Sequence, residues 1–572
     1  MKSSYSNRWR HRLRALAAST VVSAGMVAPG IALADAPTTT PIKHLVIIFQ
    51  ENISFDHYFA TYPKATNPGG GEPRFVGRDD TPAVNGLDDG LLTSNPNLRQ
   101  PFRLDRTEAF SCDMDHGYTD EQKAVNGGLM NLFVQATGKT GIGCRPDGST
   151  VMGYFDGNTV TALWNYAQHN AMSDNSFDTM FGPSTPGALN LISGKTTGAT
   201  TFKQGVQQAT NVAVTGDPDP AFDDCGADQG GTNPTAVTDQ LNHKNVGDLL
   251  NSKGITWGWF QGGFAPTQPA SPGHPAVCGA STLGHPGVPN PTAANGNPTN
   301  QDIHTAVSDY SAHHQPFQYF ASTRNPHHLR PSSVAMIGQT DQANHQYDIS
   351  DFYDAVKFHH LPAVSYLKAP AFQDGHPGNS DPLSEQTFLV HVINILQHSP
   401  EWDSTAVIIS YDDSDGWYDH VTGPLVNPSS TAGADSLVPS LPLSTSTAVA
   451  TPGAIPTSGI CGTPAAGAFQ SRCGYGPRLP LLVISPWAKE NFVDHTTTDQ
   501  SSSLRFIEEN WNLGFLDGPS APPAGQASFD RVAGRINNMF DFDDHARHER
   551  IFLDETTGKI VGGDFADNDH GH

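Results

Sequence analysis

Positive charge is scarce in this sequence: 32 Lys and Arg stand against 57 Asp and Glu, a formal net charge of −25 over 572 residues. A chain this acidic has no sequence-wide attraction to nucleic acid or to an anionic bilayer. An anionic ligand would need a local focus of positive charge, such as a metal, a helix N-terminus or histidine. Cysteine is sparse, and its six copies never form C-x-x-C, which argues against a zinc–cysteine cluster. Beyond the first 34 residues no apolar run approaches the roughly 20 residues that cross a bilayer. There is no internal repeat and no clean linker between two periodic halves, which favours one large domain despite the length.

The first 34 residues differ from the rest. They carry Lys2, Arg8, Arg10, Arg12 and Arg14 and no acid, then an Ala-rich apolar run ending in Ala32-Leu33-Ala34. That is the pattern of a signal peptide with an A-x-A cleavage site. Ser, Thr, Gly and Pro interrupt the run, against a membrane anchor, and no clean Arg-Arg pair marks the twin-arginine route. Removing those five positive charges takes the net charge from −25 to −30. The mature chain is expected to be exported, periplasmic or secreted, with no integral membrane segment. Six cysteines in such a chain predict disulfides, read here as the sequence neighbours Cys112–Cys144, Cys225–Cys278 and Cys461–Cys473.

Two short, β-branched runs without polar alternation, "HLVIIF" (44–49) and "STAVIIS" (404–410), read as buried parallel strands, and "PLLVIS" (480–485) reads similarly. Helical patterns at 384–399 and 501–511 lie among them. The alternation predicts an α/β fold with a mostly parallel central sheet flanked by helices. Gly/Pro/Ser/Thr-rich insertions occupy about 203–245, 262–300 and 423–475 of the domain spanning 35–545, and 546–572 reads as a polar tail.

Both of the clearest strands run into acid. The first meets Glu51-Asn52, and the second meets Asp412-Asp413 with Asp415, Asp419 and His420 close behind. Open α/β sheets bind ligands beyond the carboxyl ends of their strands. Adjacent carboxylates repel unless a cation lies between them, and oxygen donors suit a hard or borderline metal. Ser184 and Thr185 in "FGPSTPGALNLISG" stand at a helix start, as an N-cap hydroxyl or as a nucleophile held where amides and the dipole favour phosphate. His116, His327, His328 and His376 lie in loops rich in Gly, Pro or Asp, and protonated histidine suits both phosphate binding and leaving-group protonation.

The segments "HLVIIFQENISFDHYF", "FGPSTPGALNLISG", "NPHHLRP", "QDGHPGNSDP" and "AVIISYDDSDGWYDH", with the region 479–511, resemble the bacterial phosphoesterase family. That family includes acid phosphatases of the respiratory-burst-inhibiting type and phospholipases C. The resemblance implies an alkaline-phosphatase-like α/β core. It implies one divalent metal (Mg, Ca, Mn, Zn or Fe) held by Glu51, Asn52, Ser184, Asp412 and Asp413. Ser184 would be the nucleophile, forming a phosphoserine. His116, His328 and His376, with His327 as companion, would contact phosphate or protonate the leaving group, His376 foremost. Asp56, His57, Asp419, His420 and His495 would support them. "GPSTPG" in place of the phospholipase branch's "GPTNPN", and the absence of room for two further C-terminal modules, favour a phosphomonoesterase of acidic optimum acting on a small phosphate ester. A phospholipase C and a catalytically silent phosphate-binding protein are the alternatives.

Overall fold

His44–Gln50 (β1) lacks polar alternation because both its faces are covered, and Leu45 through Phe49 have no solvent exposure. In the computed structural model, residues 37–226, 236–290, 302–424, 473–518, 527–543, 546–547 and 549–563 are described. The strands that follow in its sheet are Ala171–Ser173 (β2), Trp257–Gln261 (β3), Gln346–Asp348 (β4), Val364–Lys368 (β5), Thr405–Tyr411 (β6), Leu481–Ile484 (β7) and Phe492–Asp494 (β8). Their order across the sheet is β4-β3-β5-β1-β6-β7-β2-β8. Every pairing is parallel except the two made by β7, which runs against both β6 and β2. The α/β class with a mostly parallel sheet is thus observed. The third expected strand is present but reversed, since burial on both faces produces the same apolar run in either direction.

Register carries the functional consequence. β1 and β6 pair in step to Gln50 opposite Tyr411, so the next residues, Glu51 and Asp412, emerge side by side. β5 flanks β1 on its other side and finishes on Lys368. The helices that bear on this edge are Phe55–Phe59 (α1), Tyr118–Val125 (α2), Ser184–Ser193 (α3), Ile349–Lys357 (α4), Pro382–His398 (α5) and Ser501–Asn510 (α6). α5 and α6 fall where the apolar spacing places them. Asp381 caps α5 by accepting from Leu383 and Ser384 amides, with Pro382 at its first position.

Some of the insertions contain regular structure. Val206–Ala213 and Val237–Gln240 pair antiparallel with Thr197–Lys203, and Ser281–Leu283 pairs with Ala306–Ser308. The stretch from 546, expected to be a polar tail, carries a hairpin of Ile551–Leu553 and Ile560–Gly563. Ile551 and Leu553 are buried, and Gln397 and Asn394 of α5 donate to their carbonyls at 2.8 and 2.9 Å. Apolar residues at 551 and 553 anchor this segment to α5, which its average polarity concealed. Cys112–Cys144 and Cys225–Cys278 are bonded as expected. Cys473 is bonded too, while the expected signal peptide, Cys461, most of 423–475 and 564–572 lie outside the described residues.

Candidate active site

Side chains alternate along a strand, so Glu51 and Asn52 would point to opposite faces if β1 continued. It does not continue: Asn52 takes a left-handed conformation with φ 54°, which asparagine tolerates better than most residues. The sharp turn brings both side chains to one place. Asn52 N–H donates to Asp412 Oδ1 at 3.0 Å, Asp413 N–H to the same oxygen at 2.9 Å, and Asp415 N–H to Asp413 Oδ1 at 2.6 Å.

α3 supplies the hydroxyl. Ser184 is the first helical residue and Pro183 stands in the cap position without a side-chain capping bond. Neither Ser184 nor Thr185 is therefore the N-cap, and the Ser184 hydroxyl is free for other partners. It lies 3.2 Å from Glu51 Oε2, 3.5 Å from Asn52 Oδ1 and 3.1 Å from Asp413 Oδ2, and the residue is 2 % exposed. This close docking of α3 requires glycine at 187. A Cβ there would press into the carbonyl oxygen of Asp412. Gln500 tightens the same joint by donating to Asp412 O at 2.6 Å.

Three acceptor oxygens around one hydroxyl leave more lone pairs than protons. The Asn52 amide sharpens the point. One end lies 2.8 Å from Glu51 Oε2 and 3.1 Å from Asp412 Oδ1, and the other lies 3.3 Å from His376 Nε2 and 3.5 Å from His116 Nε2. Both imidazoles bond a backbone carbonyl through Nδ1, to Met114 O at 2.8 Å and Pro377 O at 2.6 Å. A protonated His116 so held turns the amide oxygen toward the histidines and its nitrogen toward Glu51 and Asp412, whereas a cation among the carboxylates would draw the amide oxygen inward. Carboxylate oxygens packed this closely around one hydroxyl fit a cation, and an all-oxygen set suits a hard one. The five oxygen-bearing residues expected as ligands (Glu51, Asn52, Ser184, Asp412 and Asp413) thus converge. Asp412 joins them through bonds from the Asn52 backbone N–H and from Lys368.

The electrostatics agree. Burial, reinforced by Glu51, pushes Asp412 up to about 6, and burial with Asp412 nearby pushes Asp413 well above the carboxylate range. Burial also raises Asp415 to about 6 against the pull of His116. Burial acts on Glu51 in the same direction, but Lys368 overrides it and holds Glu51 at about 2. Burial opposes the protonation of His116. Asp413, Asp415 and Asp113 outweigh it, and the ring is held well above its ordinary value. The cluster is short of positive charge.

Lys368 and His314 belong to this cluster and escaped the sequence reading. Lys368 is 1 % exposed, ion-paired to Glu51 and 3.2 Å from Asp412 Oδ2. His314 Nδ1 lies 2.9 Å from Glu51 Oε1, and its ligating atom groups with those of Glu51 and Asp374. The only signal for Lys368 was a basic residue closing the short run "VSYLK", and His314 in "AHHQPF" looked like several other histidine pairs.

The pair at 327 and 328 lies elsewhere. His328 is buried between Asp223, 2.7 Å from its Nε2, and the Phe264 carbonyl, 2.8 Å from its Nδ1, and it stacks on the Phe264 ring. His327 faces Asp224 at 3.0 Å and is largely exposed. Both contact the segment around Cys225, and none of their contacts reaches Ser184, because Asp223 and Asp224 claim both rings. Asp56 and Asp419 clamp the fully buried Arg478, and His420 sits 2.7 Å from Asp56. His57 stacks on Trp417, its pKa pushed down to about 3 by burial, and His495 pairs with Asp174 at the surface.

A hydroxyl among carboxylate oxygens at the carboxyl edge of a mostly parallel sheet, with two histidines near by, is an arrangement suited to hydrolysis of phosphoric esters. The Phosphoesterase family model matches residues 42–514, and the chain belongs to that family. It is 24 % identical over 511 residues to phospholipase C A of Mycobacterium tuberculosis, covering 88 % of this chain and 78 % of that one. It is 25 % identical over 517 residues to a non-hemolytic phospholipase C of Burkholderia pseudomallei, covering 88 % and 60 %. A non-hemolytic phospholipase C of Pseudomonas aeruginosa matches at 32 % over 184 residues, covering 32 % and 24 %. Within the described residues no helix is long and apolar enough to cross a membrane.

Proposed function

We propose that this chain is a metal-dependent phosphodiesterase of the phospholipase C type, cleaving phospholipid-like diesters at the alcohol–phosphate bond with Ser184 as nucleophile. The observation that carries the reaction is the convergence of Glu51, Asn52 and Asp413 oxygens on the Ser184 hydroxyl. The substrate class follows the relatives named phospholipase C, two of which align with 88 % of the chain. Those names favour the phospholipase C reading over the phosphomonoesterase suggested by the Ser-Thr-Pro motif, and serine and threonine nucleophiles run the same chemistry.

A divalent cation, when bound, would supply Lewis acidity, easing loss of the hydroxyl proton and countering charge on the phosphoryl group. Glu51, Asn52, Ser184, Asp412 and Asp413 would hold it. Ser184 gives its hydroxyl proton to Asp413, 3.1 Å away, and Oγ attacks phosphorus; the phosphorus–alcohol bond breaks, and the departing alkoxide takes a proton from His376 Nε2. Water then cleaves the phosphoserine ester, giving its proton to His376 as Ser184 regains its own from Asp413. The Met114 and Pro377 carbonyls hold Nδ1 of the two rings and leave Nε2 of each to face the substrate. Lys368 balances Glu51 and Asp412 from beneath. His327 and His328 have no part in this scheme. The catalytic domain starts at about residue 35 and takes in the hairpin at 551–563 that packs on α5, and it is exported, periplasmic or secreted, after loss of 1–34.

Purified protein assayed on p-nitrophenyl phosphorylcholine and p-nitrophenyl phosphate at several pH values tests the reading. Dominant turnover of the choline ester is expected. Dominant turnover of the monoester would restore the acid phosphatase assignment. Ser184→Ala should remove both activities, and activity surviving in it and in Asp413→Ala would refute the site. Phosphate binding without turnover in the wild type would instead mark a silent relative.

A further inference from the structure

Asp113, His116 and His376 meet on the outer side of the Ser184 cage, from loops far apart in sequence. One ligand atom from each lies within 4.8 Å of the others. All three are partly exposed, whereas Ser184, Glu51 and Asp413 are not. The two loops are fixed to each other. The Gly378 amide donates to Ser111 O at 2.8 Å, and the Cys112–Cys144 disulfide ties down the residue before Asp113.

The donors are set for a metal. Each imidazole commits Nδ1 to a backbone carbonyl, the outer arrangement that fixes tautomer and orientation in metal-ligating histidines. Both Nε2 atoms approach the same end of the Asn52 amide, at 3.3 and 3.5 Å, and the ring centroids are 6.3 Å apart. Asp113 Oδ1 is buried and accepts no hydrogen bond, with His116 Nδ1 the nearest ionic partner at 3.5 Å. Two imidazole nitrogens and one carboxylate, with a position left open, are a zinc-type set. The oxygen cage beneath has the opposite preference.

We propose that Asp113, His116 and His376 form a second cation site, selective for a borderline divalent ion such as zinc, and that filling it stops catalysis. The ion takes the Nε2 lone pairs of both histidines. With Nε2 on the ion, His376 cannot carry the proton it would give the leaving group. The blocking half rests on the function proposed above, and the binding half does not. Lys139 Nζ lies 3.5 Å from Asp113 Oδ2 and 3.1 Å from Asp115, so it competes with the ion for Asp113.

The test is equilibrium dialysis of the full chain against zinc in the presence of excess magnesium, with metal content read by elemental analysis, alongside turnover of p-nitrophenyl phosphorylcholine. One zinc should bind in addition to the ion in the cage, with reversible inhibition over the same concentration range. Asp113→Asn should keep zinc-free activity and raise both midpoints about tenfold or more. Lys139→Gln should lower them. Zinc that only replaces the cage ion, or midpoints indifferent to both substitutions, would overturn the site. Zinc that binds with the expected pattern while turnover continues would overturn the blocking half and with it the role of His376, leaving the binding site intact.

Discussion

Replacing Lys368 by methionine keeps most of the volume and removes the ammonium that balances Glu51 and Asp412. Lys368 and both its carboxylate partners are at most 1 % exposed, so water cannot take its place. Breaking a buried pair by deleting one partner costs about 3–5 kcal/mol, because the remaining charge is stranded. Unfolding entropy near 2.1 cal/mol/K per residue over the roughly 450 described residues is about 0.9 kcal/mol/K, so the melting temperature should fall by about 3–5 °C. That drop belongs to protein stripped with a chelator. With a divalent ion restored, the cage regains positive charge and most of the loss should disappear, so the variant should depend on metal more than wild type does. Differential scanning fluorimetry on both proteins, with chelator and with added magnesium, reads all four values. A stripped variant melting within about 1 °C of wild type would refute the claim that this cluster is short of positive charge.

Two other expectations are independent of that balance. Gly187→Ala places a methyl group against the Asp412 carbonyl, forcing α3 off the strand edge. Overpacking of this kind costs about 1–3 kcal/mol, while turnover should fall about a hundredfold or more because Ser184 moves with the helix. A variant with near-normal kcat would contradict the close docking. The Asp223–His328 pair carries a pH signature. Burial pushes Asp223 up, but His328 overrides it and the carboxyl is held low. Burial pushes His328 down, but Asp223 overrides it and the ring is held high. The pair's contribution is therefore full between about pH 4 and 6.5, falls away as acid protonates Asp223, and shrinks as pH rises through the raised His328 value. The melting-temperature gap between wild type and His328→Asn should follow that window, with turnover little changed at fixed temperature. A gap constant from pH 5 to 9 would argue against a charged pair.

The expected sites that the structure gathers are the ones whose position follows from strand ends. Glu51 and Asp412 had to emerge together once β1 and β6 were neighbours in register, and each announced itself by an apolar run breaking into acid. Ser184 was legible because a Ser-Thr-Pro start before "ALNLIS" admits a helix and little else. The histidines at 327 and 328 misled for the opposite reason. Two adjacent histidines in a Pro-flanked loop look chemical. What decides their role is which carboxylates fold against them, and those come from about 100 residues upstream. Lys368 was hidden because Ser365 and Tyr366 interrupt the apolar pattern of β5, and nothing local marks a lysine as buried. The C-terminal hairpin was hidden because few of its residues face inward, Ile551, Leu553 and the partly buried Ile560.

The central claim is that Ser184 attacks phosphorus and carries the phosphoryl group. Acid quenching of the enzyme during turnover of p-nitrophenyl phosphorylcholine, followed by peptide mass spectrometry, measures this directly. A covalent adduct with the mass of the phosphorylcholine group is expected on the peptide containing Ser184, present only when metal and substrate are both supplied and absent in Ser184→Ala. Full turnover with an unmodified Ser184 peptide, or an adduct on another residue, would contradict it.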